Sequence, residues 1–279
     1  MPKTLTDLEL IRELEPVAEA GMNHHLAATR NWNPHDYVPW SDGSDYGALG
    51  GHDWSLDESR HGIALRDYLV VTRAVDPNAL EMARIGQVTA GFSPGQQGQG
   101  SVRPETMLDA LVYVTFQELA TRVSHRNTGR ACDEPIADQL LKRVSADENL
   151  HMIFYRGVGA AAMDIAPDAA MQSVCRILKN FQMPGFTIPN FRRNAVKIAV
   201  GGIYDLRQHL DEVVLPVLRY WRIFERDDFT GVGQRNRDDL ADFLAQTDVE
   251  AAKFEQSKAR YLERGAARLE RASAKARVS

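Results

Sequence analysis

The sequence lacks a long hydrophobic run, a cysteine framework and an excess of positive charge. No stretch approaches the ~18 apolar residues that a membrane-spanning helix needs, so we expect no transmembrane segment. Its two cysteines, Cys132 and Cys175, form no CxxC motif, which argues against a disulfide framework and favours a reducing cytoplasm. The net charge of -5 argues against a general nucleic-acid binder, because phosphate neutralisation needs a basic surface. The N-terminal MPKTLTDLEL contains no apolar core of a secretory signal, so we expect a cytoplasmic protein.

Strand-like alternation is also scarce, and helical periodicity dominates. The first helix follows Thr6 or Asp7, either of which could cap it. Segments rich in Pro, Gly and Asp, above all near 31–53 and 91–105, are typical of loops. The sequence predicts one all-α domain over residues 1–279, with a charged C-terminal helix and a frayed basic tail over about 238–279. The other predicted helices cover residues 55–73, 77–90, 104–129, 134–165, 191–202 and 210–224.

Two stretches, DESRHG and DENLHM, each contain the motif Glu-x-x-His. The spacing places Glu58 with His61, and Glu148 with His151, on one face of a helix and about one turn apart. In both helices this face is otherwise mainly apolar, which indicates that the polar pair points into the protein. Surface Glu–His pairs on solvated faces are the alternative interpretation.

A third acid, Glu118, lies on another mainly apolar helical face, in line with Leu111 and Val114. An unpaired buried carboxylate costs several kcal/mol, so three that converge require a shared cation or shared protons. The pattern predicts a di-iron or di-manganese carboxylate site in a helix bundle, where two helices each supply Glu-x-x-His and two others each supply one Glu. Glu58 and Glu148 would bridge the metals, while His61, His151 and Glu118 would be terminal ligands.

This set contains five ligands, whereas the pattern has six. The helix that should supply the sixth glutamate is not evident from the sequence. Candidates are Glu13, Glu15 and Glu19 in the first helix, and Glu212 in the stretch HLDEVVLPVL. Each of them can equally be an exposed acid, and none is preferred.

Long stretches of the chain resemble the soluble acyl-acyl-carrier-protein (acyl-ACP) desaturases, in particular the mycobacterial type. They are LEPVAEAGMNHHL, DYVPW, ESRHGIALRDYLVVTR, FSPGQ, FQELATRVSHRNTG, SADENLHMIFYR, FQMPGF and WRIFERDDFTG. The resemblance implies a ferritin-like helix bundle with two iron ions (Fe2+/Fe3+), usually a homodimer. Such an enzyme uses O2 and two electrons from a ferredoxin-type donor to introduce a cis double bond into a saturated acyl chain on acyl carrier protein, in fatty acid biosynthesis.

The same resemblance assigns residues. Glu58, His61, Glu118, Glu148 and His151 match the family's metal ligands. Thr121 matches a threonine that lies beside the metals and is thought to assist oxygen activation, so we expect it to be catalytic.

The chain departs from the family pattern at Trp54. Here GGHDW is joined directly to WSLDESRHG, whereas family members have a long segment between the corresponding stretches. That segment contains a core helix with the missing glutamate, so we expect an incomplete bundle. Glu58 would then lie near its helix start and be less buried, and the metal bound by His61 would lack its terminal carboxylate.

Two functions follow from these expectations. The first is an acyl-ACP desaturase. The alternative is a catalytically impaired relative that binds one metal or none and acts as a binding partner of acyl carrier protein or of a homologue. Acyl carrier protein is acidic, so a basic cluster could serve as its docking surface. Two clusters are candidates, and either could be an ordinary solvated face: Arg122, Arg126, Arg130, Lys142 and Arg143, and Arg192, Arg193 and Lys197.

Overall fold

A computed structural model of the protein describes residues 5–39, 54–90, 105–183, 185–186 and 188–276. These residues contain helices and no β-strand, which confirms the all-α prediction. Residues 40–53 of the predicted loop and residues 91–104 of the predicted linker lie outside the described residues. The helices are α1 (Asp7–Ala28), a short 3-10 helix (Pro34–Asp36), α2 (Trp54–Val71), α3 (Pro77–Ala90), α4 (Met107–Cys132), α5 (Pro135–Ile165), α6 (Pro167–Lys179), α7 (Phe191–Val200), α8 (Leu206–Gln208), a π-helical segment (His209–Val214), α9 (Leu215–Tyr220) and α10 (Gly231–Ala276).

Side chains cap the helices that position the site. Thr6, one of the two predicted caps, caps α1 and forms a capping box with Glu9. Thr106 and Asp109 form the same arrangement at α4. Glu134 caps α5 by accepting hydrogen bonds from backbone N–H groups of the first turn, and Pro135 follows it at a position where no N–H is needed.

Helix α4 does not end at Gly129, and that prediction is wrong. The helix continues to Cys132 and ends where Asp133 adopts a left-handed conformation with φ of 50°. Gly129 is instead a contact residue, because a Cβ atom there would lie 3.2 Å from the Cα atom of Asp138 in α5. The missing side chain lets the two helices approach closely just before they join.

Helices α4 and α5 form an antiparallel hairpin at the centre of the core. The Ser145 hydroxyl donates to the Arg122 carbonyl at 3.1 Å, and Arg126 pairs with Asp138 at 2.5 Å. Phe116 of α4 packs edge-on against Trp221, with ring centroids 5.7 Å apart. The two longest core helices therefore form a rigid support for side chains that face α1 and α2.

Helix α6 was not predicted as a separate helix, and the helix that includes α8 and α9 contains a π-helical segment that periodicity did not indicate. Pro167 begins α6 immediately after Ala166, and the apolar face of α6 is buried. Helix α10 starts at Gly231, earlier than the predicted 238, and reaches Ala276. Fraying of the last residues stays a prediction.

Helix α2 packs on the hairpin through a small apolar cluster. Ala64 is fully buried against Leu140 and Val144 of α5 and against Trp32. This cluster fixes the face of α2 that carries His61. The opposite face of α2, and α3 after it, expose large apolar side chains: Ile63, Val70, Met82, Ile85 and Val88.

Candidate metal centre

Helices α2, α4 and α5 bring four predicted ligands together. Each of Glu58, Glu118, Glu148 and His151 offers one ligand atom, and these atoms all lie within 4.8 Å of one another. Glu118, Glu148 and His151 are buried, whereas the Glu58 side chain is 49% exposed. That exposure confirms the expectation that Glu58, one turn after the start of α2, is less well buried than the others.

The Nδ1 atom of His151 faces three carboxylates. It lies 3.2 Å from Glu58 Oε1, 3.4 Å from Glu118 Oε2 and 3.7 Å from Glu148 Oε2. Three acids supplied by three helices therefore surround one imidazole nitrogen. This is the convergence that the two Glu-x-x-His motifs and the FQELAT stretch predict.

His61 lies opposite His151 and contacts the second oxygen of both Glu58 and Glu148. Its Nδ1 atom lies 3.4 Å from Glu148 Oε1 and 3.9 Å from Glu58 Oε2. Each of these glutamates thus turns one oxygen to His151 and the other to His61. Such a division of oxygens is what two carboxylates need in order to bridge two ions.

A network behind His61 fixes its orientation. The Nε2 atom lies 3.3 Å from Asp147 Oδ2, and the Trp32 indole donates to the same oxygen at 2.7 Å. Arg143 pairs with the other oxygen of Asp147. An outer carboxylate of this kind fixes a histidine's tautomer and directs its second nitrogen toward a metal. The stretch DENLHM contains this Asp directly before Glu148, but the motif alone does not indicate its role.

Two further histidines lie at the cluster and were missed. The ring of His25 in α1 lies 5.5 Å from that of His151. His125 Nε2 in α4 lies 3.8 Å from Glu148 Oε1. The signal for His125 was present in the sequence, since it follows Glu118 by two helical turns and so shares its face.

The local electrostatics separates the pKa values of the two buried carboxylates of the metal group, Glu118 and Glu148. Burial raises the pKa of Glu118 to about 8, and the Glu148 carboxylate adds to the rise. Burial opposes ionisation of Glu148 too, but polar contacts with His151, His61 and Glu118 outweigh it and hold the pKa of Glu148 well below its ordinary value. Without a cation, therefore, Glu118 carries a proton and Glu148 carries the charge.

The residues fit a bound cation. His61 Nδ1 and Glu118 Oε2 are buried, and neither makes a hydrogen bond of favourable geometry with a described residue. Both atoms face the cluster, and leaving them unsatisfied in a dry interior costs free energy. Carboxylate oxygens together with imidazole nitrogens are a donor set suited to iron and manganese. A metal would satisfy both atoms and displace the proton of Glu118.

Thr121 and the candidates for the sixth ligand are not members of this ligand group. Thr121, one turn after Glu118, donates its hydroxyl hydrogen to the carbonyls of Gln117 and Glu118, at 3.1 and 3.0 Å. The metal-binding group found among the described residues contains none of the proposed sixth glutamates. All four of those are exposed: Glu13, Glu15, Glu19 and Glu212.

Four of the five cations of the first basic cluster line one groove between α4 and α5. The groove has a volume of about 460 Å³ and also contains Asn127, Asn149 and Glu212. Its cations are Arg122, Arg126, Arg130 and Lys142. Arg143, the fifth, is instead engaged with Asp147 behind the metal ligands.

Known proteins are similar to this chain in sequence and in fold. The acyl-[acyl-carrier-protein] desaturase named DesA1 of Mycobacterium tuberculosis is 52% identical over 315 aligned positions, covering 95% of this chain and 93% of that protein. Because this alignment is longer than the 279 residues here, it includes positions at which the chain has no residue. The solved structure of DesA2 from the same organism aligns with a TM-score of 0.62 and 28% identity, covering 76% of this chain and 94% of that one.

A chloroplast stearoyl-[acyl-carrier-protein] 9-desaturase of Arabidopsis thaliana is 28% identical over 65% of this chain and 47% of its own length. Within the part of the chain that the structure describes, no helix is long and apolar enough to cross a bilayer. The sequence profile described as "Fatty acid desaturase" matches residues 48–271. The chain, with its ferritin-like all-α fold, therefore belongs to the fatty acid desaturase family.

Proposed function

We propose that the protein is an acyl-ACP desaturase whose di-iron centre is held by Glu58, His61, Glu118, Glu148 and His151. The observation that carries the proposal is the division of the Glu58 and Glu148 oxygens between two buried histidines. Family membership and the names of the similar proteins support the same reaction. When bound, the iron pair would supply the O2-dependent chemistry that removes two hydrogens from adjacent methylenes of a saturated acyl chain.

The protein's own residues hold this centre. Glu58 and Glu148 would bridge the ions, Glu118 and His151 would complete one of them, and His61 would bind the other. Asp147 keeps the Nδ1 atom of His61 directed at the cluster. The His151 ring is fully buried, whereas the half-exposed Glu58 leaves part of the site open to water.

Thr121 is the residue that we propose assists the reaction. Its hydroxyl lies one turn after Glu118 on the same helix, and its hydrogen is donated back to the α4 backbone. A hydroxyl held in this way keeps its oxygen lone pairs available as acceptors. The Thr121 oxygen would therefore be able to accept a hydrogen bond from a donor bound in the site.

The segment that we propose is missing at Trp54 would have supplied the sixth ligand, a glutamate, to the metal ion that His61 binds. The aligned length shared with DesA1 supports the interpretation that this chain lacks positions present in its relative. We place the gap between the stretches GGHDW and WSLDESRHG, where the sequence departs from the family pattern. The half-exposed Glu58 and the exposed apolar side chains of α2 and α3 support an incomplete wall at this point.

Acyl carrier protein is the substrate carrier that we propose, and the groove between α4 and α5 is its docking surface. The groove contains four cations beside a single acid, Glu212, and acyl carrier protein is acidic. It also lies on the hairpin that carries Glu118 and Glu148. Docking there would bring the acyl chain to the bundle near the cluster. A ferredoxin-type electron donor, a homodimer and a cytoplasmic location complete the proposal.

The proposal is tested by a single-turnover desaturation assay. The protein is loaded with Fe(II) under anaerobic conditions, mixed with a saturated acyl-ACP series, and reacted with O2 plus a ferredoxin reducing system. We expect an unsaturated acyl chain by mass spectrometry, and none from Glu148→Gln, which loses a bridging carboxylate. Protein that binds two irons yet yields no unsaturated product with any chain length would overturn the enzymatic assignment.

A further inference from the structure

We propose that His125 is the fourth protein ligand of the metal ion that His61 binds, in the place where a carboxylate is absent. The inference rests on the proposed di-iron centre. It concerns a residue that lies outside the predicted ligand set.

The predicted ligands divide unequally between the two ions. One set consists of His151 Nδ1, Glu118 Oε2 and one oxygen from each bridging glutamate, which gives four donor atoms. The other set consists of His61 Nδ1 and the remaining oxygens of the two bridges, which gives three. The second ion is therefore the one with room for a further donor.

His125 points its Nε2 atom at this second set. The atom lies 3.8 Å from Glu148 Oε1, the same oxygen that lies 3.4 Å from His61 Nδ1. Two ligand atoms bound about 2.1 Å from one ion are roughly 4 Å apart at most, and both distances meet this limit. His61 and Glu58 also lie close enough to the His125 ring to interact with it electrostatically.

The local fold gives His125 little freedom to face elsewhere. It follows Glu118 by two turns of α4 and therefore lies on the same face of the helix. Its side chain is 25% exposed, so most of the ring is enclosed by the protein on the side of the cluster. Among the described residues, its ion-pair contact is with Glu148.

A hydrogen bond that merely positions Glu148 is the competing role, and four variants separate the two. His125→Phe fills the same space without a donor atom. His125→Gln can still hydrogen-bond to Glu148 but is a poor ligand, whereas His125→Glu supplies a ligand oxygen and repels Glu148 when no metal is present. His209→Phe is the matched control, because His209 is also partly buried but contacts Tyr204 and Phe181 instead.

Anaerobic Fe(II) binding is measured by equilibrium dialysis of metal-free protein, with helical content checked by circular dichroism. We expect two irons per chain for wild type, His125→Glu and His209→Phe. We expect one for His125→Phe and His125→Gln, with the second binding step weakened about 100-fold or more, since even outer partners of metal ligands contribute 10- to 100-fold.

Other results overturn the inference in distinguishable ways. His125→Phe that binds two irons with wild-type affinity removes His125 from the ligand set and leaves the di-iron proposal standing. Two irons in His125→Gln and one in His125→Glu assigns the positioning role instead. Wild type with a single iron shows that His125 does not complete the second site, and wild type with none overturns the di-iron centre itself.

Discussion

At the scale of single residues, the site is a set of buried charges that do not cancel without a cation. The metal group contains three carboxylates, and two histidines face it. In its metal-free form it reduces the excess negative charge by keeping a proton on Glu118, whose pKa burial raises to about 8. The same proton must leave when a metal binds, so metal affinity and pH are coupled at this residue.

This coupling predicts how the stability of the metal-free protein varies with pH. Because the folded-state pKa of Glu118 is above its ordinary value of 4.5, its contribution to stability is complete at low pH and is lost as pH rises toward 8. We expect Glu118→Gln, which cannot ionise, to lose less stability than wild type between pH 5 and 8. The slope of the free energy of unfolding against pH should differ between the two proteins by at most about 1.4 kcal/mol per pH unit.

Urea unfolding of both chelator-treated proteins at several pH values measures this difference. His125 and His209 titrate in the opposite sense, since burial lowers their pKa values, but both are present in each protein and their effects cancel in the comparison. Parallel stability profiles for the two proteins would contradict the raised pKa of Glu118.

The sequence could predict the ligands at this scale but not their surroundings. A spacing of three residues on a helix is enough to place Glu148 and His151 on one face, whatever the rest of the fold does. The contact of Asp147 with Trp32 joins residues far apart in the chain, and only the packing of the helices creates it. The orientation of His61 therefore could not be predicted from its motif.

At the scale of helices, close contacts decide where small residues are needed. Two glycines in α5 show the contrast. A Cβ atom at Gly159 would lie 2.6 Å from the buried ring of Trp221, whereas one at Gly157 would meet nothing within 4 Å. Trp221 also donates to the Arg156 carbonyl at 2.9 Å, so the ring has little freedom to move. The same kind of contact explains why a glycine stands at position 129 inside α4, where the sequence predicts a helix end.

This contrast predicts opposite effects of one substitution at two sites. Gly159→Ala should destabilise the protein by about 1–3 kcal/mol, because Trp221 or the backbone must shift. Gly157→Ala should be neutral or stabilise it by up to about 1 kcal/mol, because alanine is the better helix former. Thermal unfolding of both variants measures the difference, and equal effects would show that Trp221 does not restrict Gly159.

At the scale of the whole molecule, charge is distributed unevenly. The chain carries a net charge of -5, yet four cations line the groove between α4 and α5. One of them is partly neutralised, since Arg126 pairs with Asp138. The second basic cluster lies on exposed positions of α7, which makes it a comparison surface of the same charge sign: Arg192, Arg193 and Lys197. The sequence alone could not show which of the two basic clusters lines a groove, because the groove forms only when α5 folds back along α4.

The docking surface is tested by reversing charge in each cluster. Arg122→Glu combined with Arg130→Glu should weaken binding of acyl carrier protein about tenfold or more, while Arg192→Glu combined with Arg193→Glu should change it little. The loss should appear mainly in the association rate and shrink at high salt, because exposed charges act by long-range attraction that ions screen. Surface plasmon resonance at two salt concentrations measures both effects. If the α7 pair weakens binding and the groove pair does not, acyl carrier protein docks on α7, and the carrier would have to approach the metal cluster from another side of the bundle.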